Sequence, residues 1–376
     1  MTSHRLAGAG LRGQIAGETA LCTVGQSGSG LTYCGYDIVD LTSYGTFEEI
    51  AWLLFHGELP TRAELARYKR RLCYLREIPD ALKSCLEQIP ANTHPMDVLR
   101  TGCSLLGNLE PEVSFSQQHG VAERLLGVMP SILLYWYHCS HNDVRIHTES
   151  DEETLAGHFL YLLHGKKVPD VHRQCLDTSL IIYAEHEFNA STFTARVCAS
   201  TLSDMYSCIT GAIGSLRGSL HGGANEEAMA LIEQFDNPDE AVEAVRLMLD
   251  RQEKIMGFGH AVYQKRDPRN GIIKEWAGTL SESSDCPQLY DISEAIETLM
   301  WESKRLFANA DFYHASAYHY LGIPTQLFTP LFVCSRIAGW AAHVMEQRAN
   351  NRIIRPSADY KGTDARSWLP IEQRPD

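Results

Sequence analysis

The chain of 376 residues lacks the features that mark secreted, disulfide-rich and membrane-spanning proteins. Its 11 cysteines include no Cys-x-x-Cys pair and are odd in number, so we expect no disulfide framework and infer a reducing compartment. The first ten residues, MTSHRLAGAG, contain no apolar segment of the secretory type. The longest apolar run, residues 125–137, is interrupted by Pro130 and is too short to cross a bilayer. We therefore expect a soluble, cytoplasmic protein.

Positive charge is also scarce. Lys and Arg total 33 against 47 Asp and Glu, which gives a formal net charge of −14. This excess argues against nucleic acid or an anionic membrane as a partner. A small anionic substrate is not excluded, but its binding site must then be a local cluster of Arg and His. The length allows two domains, or one large domain with a smaller one.

The secondary-structure signals are mostly helical, and no strand–helix–strand rhythm is visible. Capping boxes predict three helix starts, at Thr46 with Glu49, Thr61 with Glu64, and Ser150 with Glu153. Residues 238–255 have the spacing of an amphipathic helix, whereas residues 20–38 favour a short hairpin. No Ser/Pro-rich linker separates two halves, so a second domain would be inserted within the first.

The stretch GSLHGGANEEAM (218–229) places His221 before two glycines. It does not have the spacing of a phosphate-binding loop, and Glu226 and Glu227 would repel a phosphate. Those carboxylates suit the first turn of a helix. Two interpretations stay open from the residues: a plain turn with a bystander histidine, or a turn that holds His221 in a working position.

Three more stretches carry candidate residues. In YAEHEFNAST, His186 is either a satisfied core histidine or functional. In IMGFGHAVYQKRDPRN, His260 precedes Lys265, Arg266 and Arg269, which favours either an anion-handling loop or a solvated basic one. In ANADFYHASAYHYLG, Asp311 is either a helix N-cap or a carboxylate whose apolar surroundings raise its pKa and make it a base.

Arg336 and Arg355 lie among apolar neighbours, and a buried arginine needs a partner or an anion. The basic run around Arg71 is more often a solvated helix face than a phosphate site. His138 and His141 have no matching second pair, and His314 and His319 are five residues apart, so we expect no metal site.

Taken in order, EHEFNAST, GSLHGGANEEAM, GFGHAVYQKRDPR, NADFYHASAYHYLGIP and IIRPSADY resemble the citrate synthase family, from about Leu21 nearly to the C-terminus. Two longer segments, ALCTVGQSGSGLTYCGYDI and FTPLFVCSRIAGWAAHVMEQRANNRIIRPSADY, are most similar to its 2-methylcitrate synthase branch. That branch condenses propionyl-CoA with oxaloacetate and usually uses acetyl-CoA less well.

The resemblance implies an all-α homodimer. Each subunit would have a large domain (1–221 and 318–376) and an inserted small domain (222–317) that closes over the substrates. His221 resembles the donor to the thioester carbonyl oxygen, Asp311 the base that removes the α-proton, and His260 the donor to the oxaloacetate carbonyl.

The resemblance also implies binding residues. Oxaloacetate would be bound by His186, Arg269, Arg336 and, reaching into the site of the partner subunit, Arg355. Arg71 joins this set only by its position in a Tyr-Lys-x-Arg-Leu helix. CoA would be bound by Lys254, Ile255, Met256, Gly257, Phe258 and Asn309. No metal and no tightly bound cofactor are required, because acyl-CoA is the substrate.

Two alternatives accompany this prediction. One is a citrate synthase that acts mainly on acetyl-CoA, since a single methylene changes discrimination by only about 1–3 kcal/mol. The other is a non-catalytic regulator that binds CoA or a dicarboxylate. For His221 the sequence favours a position against the N-terminus of the helix after Gly223, which would keep the ring uncharged with an N–H directed at an enolate.

Overall fold

A computed structural model describes residues 10–374, apart from Arg12 and Ser27. The prediction that there is no secretory signal concerns the first ten residues, and most of these lie outside the described range. The described part is mostly helical, which confirms the predicted fold class. Its α-helices are α1 Ile38–Tyr44, α2 Phe47–His56, α3 Arg62–Tyr74, α4 Asp80–Leu86, α5 Pro95–Leu109, α6 Gln118–Asn142, α7 Leu155–His164, α8 Asp170–Tyr183, α9 Ala190–Ser200, α10 Met205–Leu216, α11 Ala224–Ile232, α12 Pro238–Asp250, α13 Pro268–Ser281, α14 Gln288–Lys304, α15 Ala310–Tyr320 and α16 Phe328–Ala349.

A small antiparallel sheet is formed by β1 Cys22–Val24, β2 Leu31–Tyr33 and β3 Tyr36–Asp37, as the hairpin prediction required. Cys22 is opposite Tyr33 in the first pair. The Tyr33 hydroxyl lies 3.0–3.1 Å from the carbonyl oxygens of Ile181, Ile182 and Glu185. The sheet is thereby fixed to the end of α8, just before His186.

Two of the three predicted capping boxes are present. Thr46 with Glu49 starts α2, and Thr61 with Glu64 starts α3. The prediction at Ser150 is wrong, since α7 begins at Leu155 with Thr154 as its N-cap. The physical reason is that the Ser150 hydroxyl is already engaged, 2.9 Å from Nδ1 of the buried His158.

The amphipathic helix predicted over 238–255 ends earlier, at Asp250. Gln252 adopts a left-handed conformation with φ of 58°, which breaks the helical path. The chain then continues without helix as far as Asp267, where α13 is capped. This irregular segment contains Lys254–Phe258 and His260, so the end of α12 makes these residues part of a loop.

The centre of the fold is α16. It packs against α2, α6, α8, α9 and α10. Thr325–Ala349 is long and apolar enough to cross a membrane by composition, but its apolar window is entirely buried within the protein. Helices α11 to α15 pack largely on one another, and α8 and α16 border them.

Candidate active site

A cavity of about 620 Å³ lies where α16 and the ends of α8, α9, α11, α13 and α15 approach the loop after α12. Its lining includes twelve of the predicted site residues: His186, His221, Lys254, Ile255, Met256, Gly257, Phe258, His260, Arg269, Asn309, Asp311 and Arg336. Sequence separation reaches 150 residues within this set, so it is the fold that brings them together.

Two predicted residues are placed elsewhere. Arg71, on α3, forms an ion pair with Glu123 of α6 and lines a different, wider cavity. Arg355 is exposed in the extended segment after α16. Neither belongs to the described lining of the cavity within this single chain.

His221 lies between α10 and α11 and contacts the first turn of α9. The backbone N–H of Ser191 donates to its Nε2 at 3.2 Å, and the Ser191 hydroxyl lies 2.8 Å from the same nitrogen. Because Nε2 accepts a hydrogen bond, the proton of the neutral ring belongs on Nδ1. Burial and the nearby charge of Arg336 lower the pKa of His221 to about 4. The ring is therefore an uncharged N–H donor at neutral pH.

The helix end that His221 faces differs from the one predicted. It is the N-terminus of α9, capped by Asn189, and not that of the following helix α11. The two glycines also differ. A Cβ on Gly222 would lie 2.3 Å from the Leu216 carbonyl oxygen, whereas a Cβ on Gly223 would meet no described atom within 4 Å. Gly222 alone is required by the close approach of the backbone.

His260 is held by its own loop. The backbone N–H groups of Val262 and Tyr263 donate to its Nδ1 at 3.0 and 3.2 Å. The proton of the neutral ring therefore belongs on Nε2. Burial, and then the charge of Arg269, lower the pKa of His260 to about 4. Both candidate donors are thus neutral imidazoles whose tautomers are set by backbone amides.

Asp311 occupies the first turn of α15. Asn309 is the N-cap of this helix, and its Oδ1 accepts the N–H of Asp311 at 3.0 Å. Asp311 is therefore not the cap that one interpretation of the sequence allowed. Burial raises the pKa of the Asp311 carboxyl, opposed by a hydrogen bond from Tyr183 and by the charge of Arg269. A carboxylate with a raised pKa is a stronger base.

Two arginines and a third histidine of the site are buried, and each has a hydrogen-bond partner. Arg336 is 1% exposed on α16, and its Nε donates to the carbonyl oxygen of Tyr183 at 2.5 Å. Arg269 is the second residue of α13 and pairs with the carboxylate of Asp267. Nε2 of His186 lies 3.1 Å from the Tyr263 hydroxyl. Burial and the charge of Arg269 place the pKa of His186 well below its usual value, so this ring is also uncharged.

The residues of this arrangement that were not predicted include Tyr183, Ser191 and Asp267. Tyr183 opens the quoted stretch YAEHEFNAST, but a tyrosine at the end of an apolar helix is typical of a core residue. Ser191 is an ordinary residue in a first helical turn. Asp267 stands before a proline, which is the signal of a helix N-cap and was available in the sequence.

The chemistry of the cavity follows from these groups. Two neutral N–H donors, a carboxylate base and two guanidinium groups lie in one pocket. This set suits the removal of a proton next to a carbonyl group of one molecule, beside a second, anionic molecule bound by the guanidinium groups. Among the described residues, no group of three or more His, Cys, Asp or Glu could hold a metal ion.

Comparison with known proteins identifies the family of this chain. The sequence pattern of the family "Citrate synthase, C-terminal domain" matches residues 10–357. A 2-methylcitrate synthase from Shewanella oneidensis is 64% identical over 372 residues, which is 99% of each chain. Citrate synthase 2 from Bacillus subtilis is 41% identical over 369 residues, covering 97% of this chain and 98% of the relative.

A solved structure is also similar. It is the ternary complex of carboxymethyl coenzyme A and oxaloacetate with citrate synthase from Thermoplasma acidophilum. The TM-score is 0.90 at 31% identity, and the match covers 97% of this chain and 98% of the other. With a family match over most of its length and a full-length relative at 64% identity, this chain belongs to the citrate synthase family.

Proposed function

We propose that this protein condenses propionyl-CoA with oxaloacetate and water to give 2-methylcitrate and CoA. It would thereby be an acyltransferase that converts the acyl group into an alkyl group on transfer. The observation that carries the acyl specificity is the 64% identity, over the full length, to a 2-methylcitrate synthase. The chemical class is supported by the convergence of His221, His260 and Asp311 on one cavity.

In the first step Asp311 removes the α-proton of the thioester. The α-proton is weakly acidic, so the enolate oxygen needs a donor as its charge develops. The Nδ1–H of His221 is that donor, because its Nε2 is occupied by Ser191. Loss of one preorganised donor of this kind typically costs about 2.7–4 kcal/mol of transition-state stabilisation.

In the second step the enolate carbon attacks the ketone of oxaloacetate. Arg269, Arg336 and His186 bind the oxaloacetate, and its two carboxylates suit the forked guanidinium groups. The Nε2–H of His260 donates to the ketone oxygen as it becomes an alkoxide. Water then hydrolyses the condensed thioester and releases CoA, and this hydrolysis makes the overall reaction irreversible in practice.

CoA would lie along Lys254–Phe258 and near Asn309. This loop is tied to the start of α15, because the Asn309 N–H donates to the Gly257 carbonyl oxygen at 2.9 Å and its side chain donates to that of Gly259 at 3.0 Å. We propose that residues 222–317 form the small domain and move as a unit over the large domain (1–221 and 318–376). Closure would exclude water during condensation.

We further propose a cytoplasmic homodimer in which Arg355 completes the oxaloacetate site of the partner subunit. Its exposure in this chain is compatible with that role. Arg71 is left outside the proposed site because it pairs with Glu123 beside a different cavity.

The test is a comparison of kcat/KM for propionyl-CoA and acetyl-CoA with oxaloacetate, measured as thiol release. We expect a preference for propionyl-CoA of about 10-fold or more, the scale on which one methylene is discriminated. A preference for acetyl-CoA would favour citrate synthase, which is the name of several relatives of 36–41% identity. Absence of oxaloacetate-dependent release from either thioester would favour the non-catalytic regulator.

A further inference from the structure

Asp267 is a buried carboxylate with four hydrogen bonds from two helices. Its side chain is 0% exposed. Oδ1 accepts Nε of Arg269 at 2.9 Å, and Oδ2 accepts Nη2 of the same guanidinium at 2.7 Å. Oδ1 also accepts the backbone N–H of Arg269 at 3.0 Å, which caps α13. Oδ2 accepts the backbone N–H of Ala310 at 3.1 Å.

The last contact reaches a different part of the site. Ala310 is the first residue of α15, and Asp311 follows it directly. One carboxylate therefore fixes both an oxaloacetate-binding guanidinium and the helical turn that carries the base. Asp267 itself is not among the described residues that line the cavity, so it acts through its neighbours.

The opposite charges of Asp267 and Arg269 hold the two side chains in a fixed relative position. A guanidinium and a carboxylate that are both buried interact with little screening, and removal of one partner leaves the other charge unpaired. Two parallel hydrogen bonds also define the plane of the guanidinium. Burial raises the pKa of Asp267, but the charge and hydrogen bonds of Arg269 outweigh burial and lower it, so the carboxylate is ionised and can accept all four hydrogen bonds.

We propose that Asp267 is a positioning residue that couples oxaloacetate binding by Arg269 to the placement of the base Asp311. This inference rests on the proposed function for the identity of the bound anion and of the base. It predicts two separable effects, one on oxaloacetate affinity through Arg269 and one on turnover through the N–H of Ala310.

Two variants separate these effects. Asp267→Asn removes the charge and disturbs both contacts. Of the two contacts, Ala310→Pro removes only the one made by its own N–H; it adds ring carbons at a buried position, but proline is well accepted at the first position of a helix. The preceding residue, Asn309, is already extended with φ −91° and ψ 179°, as the position before proline requires. Ala310→Gly changes the same side chain and keeps the N–H, which makes it the matched control.

Oxaloacetate affinity is measured by calorimetry, and kcat is measured at saturating oxaloacetate. For Asp267→Asn we expect a 10- to 100-fold weaker affinity and a kcat reduced at least 10-fold. For Ala310→Pro we expect an affinity within 3-fold of wild type and a kcat reduced at least 10-fold. Ala310→Gly should keep kcat within 3-fold. As a second control, Asp204→Asn removes a capping charge at α10 and should change neither quantity.

The coupling is overturned if Ala310→Pro, folded by its melting temperature, has the kcat of the Gly variant, or if Asp267→Asn retains wild-type affinity and kcat. If Asp267→Asn does not fold, the Pro and Gly pair decides alone. The readout uses whichever acyl-CoA the wild type turns over. A wild type that prefers acetyl-CoA would thus count against the proposed substrate and leave the test of coupling intact.

Discussion

The phenol oxygen of Tyr183 lies 2.5 Å from Oδ1 of Asp311 and donates its hydrogen to that carboxylate. The ring is stacked between His314 and Phe332, with centroid distances of 4.2 and 4.1 Å. The backbone carbonyl of the same residue accepts Nε of Arg336. Tyr183 therefore connects the proposed base to one of the proposed oxaloacetate-binding arginines.

This contact predicts a pH effect in Tyr183→Phe. The hydrogen bond favours the ionised carboxylate and lowers the pKa of Asp311, so its removal raises that pKa. The base works only when ionised, and activity is lost as the pH falls through its pKa. A hydrogen bond to a charged group contributes about 1.5–3 kcal/mol, so the acid limb of the kcat profile should move upward by about one to two pH units.

The control for this variant is Tyr318→Phe. Tyr318 is equally buried, its hydroxyl pairs with Ser179 at 2.6 Å, and its ring also contacts His314. We expect its pH profile to match that of the wild type. An acid limb that is unchanged in Tyr183→Phe, or shifted equally in both variants, would show that the Tyr183 hydrogen bond does not tune the base.

The paired glycines before α11 predict a contrast in stability. A methyl group on Gly222 meets the Leu216 carbonyl oxygen, and backbone cannot move aside as a flexible side chain can. We expect Gly222→Ala to lower the free energy of unfolding by about 2–3 kcal/mol and to displace His221. Gly223→Ala has free space and should cost less than about 1 kcal/mol.

Urea unfolding and kcat of the two alanine variants check this contrast. Equal stability and equal activity would contradict the assignment of the close approach to Gly222. Loss of activity in Gly223→Ala alone would assign the requirement to the other glycine.

The proposed dimer predicts complementation between two inactive variants. Arg355→Ala should lose oxaloacetate binding, and Asp311→Asn should lose proton abstraction. In a mixed dimer, the subunit with intact Asp311 receives Arg355 from its partner and regains one complete site. Random mixing should therefore restore roughly a quarter of wild-type activity, because about half of the dimers are mixed and each has one working site.

The measurement is thiol release after the two purified variants are unfolded together and refolded. Each variant treated alone is the control. No recovery in the mixture, although mixed dimers form, would mean that Arg355 acts within its own chain or not at all.

Features with local causes could be predicted from the sequence. The capping pairs Thr46 with Glu49 and Thr61 with Glu64 act over three residues, and the structure contains both. The Ser150 prediction fails because that hydroxyl has another partner, His158, which a capping pattern does not reveal.

The contacts within the site depend on longer separations. His221 meets Ser191 across 30 residues, Asp267 meets Ala310 across 43, and Tyr183 meets Asp311 across 128. The sequence supplied most of the residues of the cavity through resemblance to a family. It could not supply which helix end faces His221, or that Tyr183 and Asp267 orient the residues that it named.

The variant Asp311→Asn tests most sharply whether Asp311 is the base and this cavity the active site. Asparagine keeps the shape of the side chain and an oxygen that can accept from Tyr183, but it is not a base. Calorimetry with oxaloacetate and thiol release from propionyl-CoA are measured together. We predict oxaloacetate affinity within about 3-fold of wild type and thiol release reduced by about 10³-fold or more, because proton abstraction is the step removed. Release at the wild-type rate would contradict the assignment of Asp311 as the base and of this cavity as the active site.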